Sequence, residues 1–406
     1  MNEERRRKVR TYRKSMISVN EALEKLFTLA KVTPVEKIEL RKCLGRVLAG
    51  PLRATRNNPP FPSSAMDGYA INKKDLKFGK EFKVIGESAA GHSYNKAINQ
   101  NEAVRIFTGS RIPDGANFVI IQEDIEALGD SIKVKEQFDK KSHIRMEGSD
   151  FSIGHTVMAP RILGAKDISL IAAMNFSRIS VRKRPIVAII STGDELVFPG
   201  EKPKSDQIIA SNAFGIAALC EDCGAAARIL PIAQDNLKSI EYILGLAQDA
   251  DVIITIGGAS VGKYDLVNAA TKNLGIDKSF YKVAMRPGKP LMAGKINNTP
   301  IIGLPGNPVS ALVCGYVFIK PLINAMLGLE RKITPRLKAP CSTPIPENGP
   351  REHYMRAVLL PNGCLKPIEN QDSARLALLS DANTLLIRPP HAKAIPEDTL
   401  CEYIKI

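Results

Sequence analysis

Apolar positions recur at two different spacings along this chain. Ala22, Leu23, Leu26 and Leu29 follow a helical period behind Ser18-Val-Asn-Glu21, a capping-box sequence, and predict a helix there. A second helical pattern is read from Val35 to Leu48, ended by Gly50-Pro51. Asn57-Asn-Pro-Pro-Phe-Pro62 then interrupts both helix and central strand. From 59 to 154 the texture is short apolar runs between turns, Phe82–Ile85, Ala103–Phe107, Phe118–Gln122 and Ile132–Val134, which predict an inserted, mostly β domain.

Over 185–330 the pattern changes to apolar runs alternating with helical stretches. The runs are Ile186–Ile190, Ala227–Ile232, Val252–Ile256, Phe280–Met285, Leu291–Gly294 and Pro300–Gly303; helices are read from about 212 and 236, and a long one from Val309. This alternation predicts a three-layer α/β domain, with its chemistry at the carboxyl ends of the strands. Residues 331–406 return to Pro-rich, short-strand texture (Ala357–Leu360, Thr384–Ile387, Tyr403–Ile406) and predict a small C-terminal β domain.

Composition narrows the class. The chain has 406 residues, 44% hydrophobic, enough for several packed cores and incompatible with a disordered, collagen-like or coiled-coil chain. The longest uncharged apolar run, Val309–Ile319, stops at Lys320-Pro321, short of the ~20 residues a span needs. The start, MNEERRRKVR, lacks the apolar stretch of a signal peptide. A cytoplasmic protein without membrane contact is therefore expected.

The net charge is +15, of which residues 1–15 hold +5, with seven basic residues against only Glu3 and Glu4. This basic extension reads as a solvated end. Tyr12 is its only aromatic residue, so nucleic-acid binding by stacking is not expected. The remaining positive charge is spread along the chain and suits small anionic substrates. Among seven cysteines only Cys220-Glu-Asp-Cys223 forms a C-x-x-C, without a second pair to complete a zinc site.

The candidate chemistry lies in four loops of the 185–330 region: Ser191-Thr-Gly-Asp-Glu-Leu196, Gly257-Gly-Ala-Ser-Val-Gly262, Met285-Arg-Pro-Gly-Lys-Pro290 and Gly303-Leu-Pro-Gly-Asn-Pro-Val-Ser310. Glycine lets the backbone approach a ligand and bare its N–H groups, which suits phosphate or oxyanion binding. None is a Walker loop or a G-x-G-x-x-G dinucleotide fingerprint. Asp194, Glu195, Asp235 and Asp265 follow strand ends, as do Lys282, Arg286 and Lys289. Acids beside phosphate-holding bases suit a Mg²⁺–nucleotide site. If Phe280–Met285 continues as one strand to Arg286, Lys282 and Arg286 share a face, with Lys289 curling back towards them past Pro287-Gly288.

Pro62-Ser-Ser-Ala-Met-Asp-Gly-Tyr-Ala70, Arg105-Ile-Phe-Thr-Gly109, the Ser191–Leu196 loop, Gly257–Gly262, Pro287-Gly-Lys-Pro290 and Gly303-Leu-Pro-Gly-Asn-Pro308 together resemble the MoeA family, the molybdopterin molybdenumtransferases, to which the E domain of gephyrin also belongs. The resemblance runs from about residue 16 to the end. It implies insertion of molybdate into adenylylated molybdopterin with Mg²⁺-dependent release of AMP. Alternatives of the same kind of fold are a molybdopterin adenylyltransferase and a gephyrin-like scaffold. It also implies a homodimer with the site shared between chains, and a MogA-like adenylyltransferase as a possible partner. The implied layout is a discontinuous linking domain (16–58 and 155–184), the inserted β domain (59–154), a MogA-like catalytic domain (185–330) and the C-terminal β domain (331–406).

By motif match the resemblance assigns functional positions to Asp67, Thr108, Arg145 and Asp150 in the β domain. It gives Glu195, Asp235 and Asp265 to the nucleotide and metal side. Lys282, Arg286, Lys289 and Ser310 fall on the anion side, with Pro305 and Pro308 shaping the loop and Arg351, Arg356 and Ser380 as further oxyanion candidates. Two positions depart from the family's habit: Arg286 stands where Lys is usual, and Ala210 where a polar residue is common.

Overall fold

The structure, a computed structural model, describes residues 16–257 and 277–406. The chain forms two compact units. One holds residues up to Glu36, Gly45–Ala49 and Val181–Ile406; the other holds Lys37–Leu44 and Gly50–Ser180.

The expected first helix is α1 (Val19–Leu29). Ser18 accepts from the Glu21 N–H while the Glu21 carboxylate accepts from Ser18, so the capping box is complete. Residues 35–48 are not a helix. They form a strand (Val35–Glu39), one 3₁₀ turn (Leu40–Lys42) and a two-residue strand (Val47–Leu48). The apolar spacing there mimics a helix, but β-branched Val35, Ile38 and Val47 favour extended chain. Backbone groups also find partners across the fold: Leu40 N–H donates to the Ser177 carbonyl at 2.9 Å, and the Lys37 carbonyl accepts from Arg178 at 2.9 Å.

The β unit is built on β1 (Ser63–Ser64), β2 (Gly68–Ile71), β3 (Glu81–Ser88), β4 (Glu102–Ile106), β5 (Phe118–Ile121), β6 (Ile125–Leu128), β7 (Ser131–Val134) and β8 (Ile144–Arg145). Six of these make a mixed sheet in the order β5-β2-β4-β3-β7-β6, and β8 pairs with β1 beside it. Its core is Ile71, Phe82, Phe118, Ile120 and Ile132, all essentially buried. Phe82 and Ile132 alternate with more exposed neighbours, whereas Ala70, Ile106 and Val119 form a second buried cluster, so β2, β4 and β5 are covered on both faces.

The other unit contains β9 (Ile186–Ser191), α2 (Ser211–Asp222), β10 (Ala226–Ile229), α3 (Leu237–Gly245), β11 (Val252–Ile256), β12 (Asp277–Tyr281), β13 (Met285–Arg286), β14 (Met292–Ile296), β15 (Thr299–Leu304), α4 (Pro308–Cys314) and α5 (Lys320–Met326). The sheet order is β10-β9-β11-β15-β14-β12, parallel over the first four strands and antiparallel at the last two. Buried clusters lie on both faces, one with α3 and one with α2, α4 and α5. This is the expected three-layer α/β arrangement. β9 and β11 read as unbroken apolar runs because both of their faces are covered.

A π-helical turn at Gly315–Ile319 joins α4 to α5, giving one continuous helical run over Pro308–Met326. By length and composition alone this run could cross a membrane. In the fold, 78% of it is buried inside the protein, so its apolar character belongs to the core.

The apolar run read as Phe280–Met285 divides between two sheets. β12 edges the α/β sheet, while β13 pairs in parallel with β17 (Glu352–Leu359) of the C-terminal sheet, after β16 (Leu337–Pro340). That sheet continues through β18 (Thr384–Arg388) and β19 (Leu400–Lys405) in the order β13-β17-β18-β19-β16. Leu385, Ile387, Ile404 and Tyr354 join the same buried cluster as α1 and the α/β strands.

Candidate functional site

β9 and β11 end side by side, and their loops interlock. Thr192 N–H donates to the Ile256 carbonyl at 3.0 Å, and Gly193 N–H to the Ala233 carbonyl at 3.1 Å. Two glycines make the approach possible. A Cβ on Gly193 (φ +149) would meet the Glu195 carboxylate at 2.4 Å, and one on Gly257 (φ +94) would meet the Thr192 carbonyl oxygen at 2.7 Å. Glu195 therefore folds back over its own backbone. Asp194 reaches across to accept from the Asp235 N–H at 2.9 Å.

This places three carboxylates together. Asp235 is held above its ordinary pKa, first by desolvation and then by repulsion from Asp194 and Glu195. Among the described residues no three His, Cys, Asp or Glu side chains converge closely enough to form a complete metal site. Asp265, and the loop from Gly258 onward, lie outside the described residues.

Of these acids, Glu195 lines a pocket of about 320 Å³. Ser191, Thr192 and Glu195 line one side; Ser211 and Asn212 at the start of α2 line another; Gly257, Gly306, Asn307 and Pro308 close it. Asn212 donates to the Gly306 carbonyl at 2.6 Å, fixing the Gly-Asn-Pro loop. Pro308 is the first residue of α4, where the missing N–H costs nothing. Pro305 and Ser310 are buried behind it. Ala210 caps α2 without a side-chain hydrogen bond but does line the pocket.

In the β unit, Asp67 and Thr108 come together. The Asp67 carboxylate accepts from the Thr108 N–H at 2.7 Å and from its hydroxyl at 2.8 Å. The backbone bond chiefly, then the hydroxyl, holds Asp67 below the usual carboxylate range. Beside them Arg105, opposite Tyr69 on β2, lies over the Tyr69 ring at 5.0 Å and the Phe107 ring at 4.9 Å, and donates to Gln122 at 2.7 Å. Arg105 was not among the residues picked from sequence; the Tyr69-x-x…Arg105-x-Phe107 strand alternation carries its only signal. Asp150 is tied elsewhere, accepting from the Asn58 side chain at 2.8 Å. Arg145 pairs with Ser63 on an edge ladder and stays exposed. Neither bonds to Asp67 or Thr108.

The anion side differs most from expectation. Lys282 adopts φ +68 and ends β12, so Lys282 and Arg286 do not share a strand face. The Lys282 ammonium lies over the Tyr281 ring, 4.9 Å from its centroid. Val283 N–H donates to the Lys289 carbonyl, making 282–291 a closed loop with Lys289 exposed at its tip. Arg286 instead joins the C-terminal sheet beside His353.

Arg356 is 1% exposed, and each of its three guanidinium nitrogens donates once within the protein. It donates to the carbonyls of Arg375 at 2.9 Å and Asn370 at 2.8 Å and to Gln371 at 3.4 Å. It organises the 370–375 turn rather than facing a ligand. That turn delivers Ser373, whose hydroxyl accepts from Asn307 at 2.8 Å and whose carbonyl accepts from the Val309 N–H at 3.1 Å. Arg351 is half-buried and donates to the Met285 carbonyl at 3.4 Å. Ser380 is exposed at the end of a short helix, with no bond to either arginine. The C-x-x-C thiols are inert: burial pushes Cys220 up to about 12 and Cys223 to about 11.

Fold and site define a multidomain α/β and β protein whose glycine-loop pocket, lined by a carboxylate, sits at the carboxyl ends of a parallel sheet. Three family models match in succession: the MoeA N-terminal region (domain I and II) over residues 17–175, a probable molybdopterin binding domain over 188–325, and the MoeA C-terminal region (domain IV) over 338–406. The chain is 35% identical over 320 residues to the molybdopterin molybdenumtransferase of Haemophilus influenzae, covering 78% of this chain and 79% of that one. It is 34% identical over 383 residues to molybdopterin molybdenumtransferase 2 of Mycobacterium tuberculosis, covering 89% and 91%. The crystal structure of the molybdopterin biosynthesis MoeA protein from Pyrococcus horikoshii OT3 superposes with a TM-score of 0.84 at 26% identity, over 97% of this chain and all of that one. The chain belongs to the MoeA family.

Proposed function

We propose that this protein is a molybdopterin molybdenumtransferase that takes adenylylated molybdopterin and molybdate and releases AMP in a Mg²⁺-dependent step. The observation that carries this reading is the pocket at the ends of β9 and β11, where glycine loops bare their backbone beside Asp194, Glu195 and Asp235. Backbone N–H groups and the fixed Gly-Asn-Pro loop suit a phosphate. The carboxylates suit a hard cation, because their mutual repulsion, visible in the raised Asp235, is what a divalent ion relieves. A Mg²⁺ site of this kind takes one or two carboxylates and completes its shell from substrate phosphates and water. Glu195 and Asp235, with Asp265 from the loop outside the described residues, would hold it. Its chemistry would be to neutralise charge on the phosphoanhydride. The chain's own residues bind and orient: Asn212 fixes Gly306, Ser373 fixes Asn307, and Lys289 stands at an exposed loop tip able to meet an anion.

The reading extends to a homodimer in which Asp67, Thr108, Arg145 and Asp150 of one chain complete the site of the other, supplied by a MogA-like adenylyltransferase. Exposed Met146, Ile153, Met158 and Ile162 on the β unit offer apolar surface for a second copy. Sedimentation at micromolar concentration should give twice the chain mass; a monomer contradicts the shared site. The decisive assay mixes protein, adenylylated molybdopterin, molybdate and Mg²⁺. AMP release that is lost on Glu195→Gln supports the proposal. Consumption of ATP with free molybdopterin, and no AMP release from the adenylylated form, would replace it with an adenylyltransferase.

A further inference from the structure

The two faces of the C-terminal sheet treat positive charge in opposite ways. On one face Arg336 is neutralised by Glu352 at 2.7 Å and Glu402 at 3.3 Å, and Tyr354 donates to Glu352 at 2.6 Å. On the other, Arg286, His353 and Arg388 stand at one level of three adjacent strands, since Arg286 is paired with His353 across β13 and β17, and His353 with Arg388 across β17 and β18. Directly paired residues project from the same face, as does Arg351, two positions before His353. Among the described residues no carboxylate pairs with any of these four.

Two of the four are deeply buried. Arg388 is 5% exposed and His353 is 7% exposed. Both keep an unpartnered polar atom: Nε of Arg388 and Nε2 of His353. Arg388 donates elsewhere only to the Lys393 carbonyl, and Arg351 only to that of Met285. A guanidinium buried without an opposite charge, beside further arginines, is an expensive arrangement that a bound anion would offset.

We propose that this row seats a doubly charged tetrahedral oxyanion, with Arg388 and His353 at its floor, half-buried Arg351 beside them and Arg286 at its exposed rim. Guanidinium forks match two oxygens of such an ion at once. His353, which burial and then the surrounding arginines keep neutral, adds an N–H donor without competing charge. Neither His353 nor Arg388 was among the anion-side residues expected from sequence. Arg356 is left out because it projects from the other face of β17, where its guanidinium holds the 370–375 turn. The proposed function enters only in the choice of molybdate as the first probe.

Isothermal titration of the full chain at pH 7, without pterin, tests the site separately from turnover. Molybdate should bind once per chain, and Arg388→Met and Arg286→Ala should each weaken it more than tenfold while Glu195→Gln does not. Parallel titrations with sulfate and phosphate identify the source: preference for molybdate marks a substrate seat, equal binding a general dianion seat, and monovalent nitrate should not bind. Should Arg388→Met fail to fold, exposed Arg286 and the His353 proton resonances carry the test, since a bound dianion must raise the imidazole pKa. No binding by any dianion, wild-type affinity in Arg286→Ala, or saturation that leaves the His353 resonance unmoved would overturn the site. Binding that persists in a protein unable to release AMP would leave this inference standing and remove the proposed function.

Discussion

Replacing His353 with Gln should erase a specific part of the acid sensitivity of this protein. The imidazole is buried on β17, with Arg286 from β13, Arg351 just before β17 and Arg388 from β18 on its own face, and Arg356 near enough across the strand to act on it by charge. Desolvation first, then these four charges, pushes it down to about 4 from an ordinary 6.5. In the unfolded chain it takes a proton near 6.5; in the folded chain it refuses one until about pH 4. The folded pKa is the depressed one. The stabilising effect of the neutral imidazole is thus complete above pH 6.5, shrinks as pH falls through the window to 4, and is gone below it. At 1.36 kcal/mol for each pKa unit, the loss across that window is about 3 kcal/mol.

Other groups also titrate in this range, so the informative quantity is the difference between wild type and His353→Gln. Thermal unfolding midpoints followed from pH 7.5 to 4 should converge: any advantage of the wild type at neutral pH declines steadily below 6.5. The chain has five histidines, and the variant identifies the His353 ring signals by their loss. A His353 signal that titrates near 6.5, or a midpoint difference that is flat with pH, would refute the electrostatic argument. It would show that water or a counter-charge reaches the ring.

Two further perturbations are expected to be as specific. Arg356→Ala should destabilise the protein by about 3 kcal/mol, since it empties a fully buried position and strands the carbonyls of Asn370 and Arg375, with Arg356→Lys recovering only part; an unchanged thermal midpoint would contradict this. Thr108→Val removes one of the two donors to Asp67 and keeps the backbone N–H, so the Asp67 carboxyl, followed by carbon-detected titration, should move up towards 3.8 without reaching it; no movement would mean that the hydroxyl bond is not made in solution.

What the sequence made legible follows from where the determinants are local. The four-stranded parallel core was readable because β9 and β11, buried on both faces, must be unbroken apolar runs. The Asp67–Thr108 contact was readable as two motifs, although only the fold shows that one carboxylate takes both Thr108 donors. The Val35–Leu48 helix failed because a helical spacing can arise from two short strands and a turn whose partners, Ser177 and Arg178, lie far along the chain. The three-cation pocket failed for a related reason. It assumed one strand through Phe280–Arg286, whereas Lys282 turns the chain and passes Arg286 to a different sheet. Arg356 entered as an oxyanion candidate by motif match, together with Arg351 and Ser380. Sequence cannot say whether such a charge faces solvent, a substrate or, as here, two backbone carbonyls and a glutamine side chain.

That last ambiguity is resolved by strand parity. On β17, Glu352, Tyr354 and Arg356 project to one face, and Arg351 and His353 to the other. The first face is internally satisfied: Arg336 has its two carboxylates, and Arg356 has its carbonyls and Gln371. The second gathers Arg286, Arg351, His353 and Arg388 with no acid among the described residues to meet them. Alternation along a single eight-residue strand therefore divides a structural role from a binding role. The arginine that a motif reading favours as a ligand is the one whose position gives it none to bind. Its neighbours one strand-face away, His353 among them, have donors left over. Substitutions at the polar positions should split the same way, with Tyr354 and Arg356 changing stability and Arg351 and His353 changing oxyanion affinity. Loss of affinity at Arg356→Lys with stability intact would break that division.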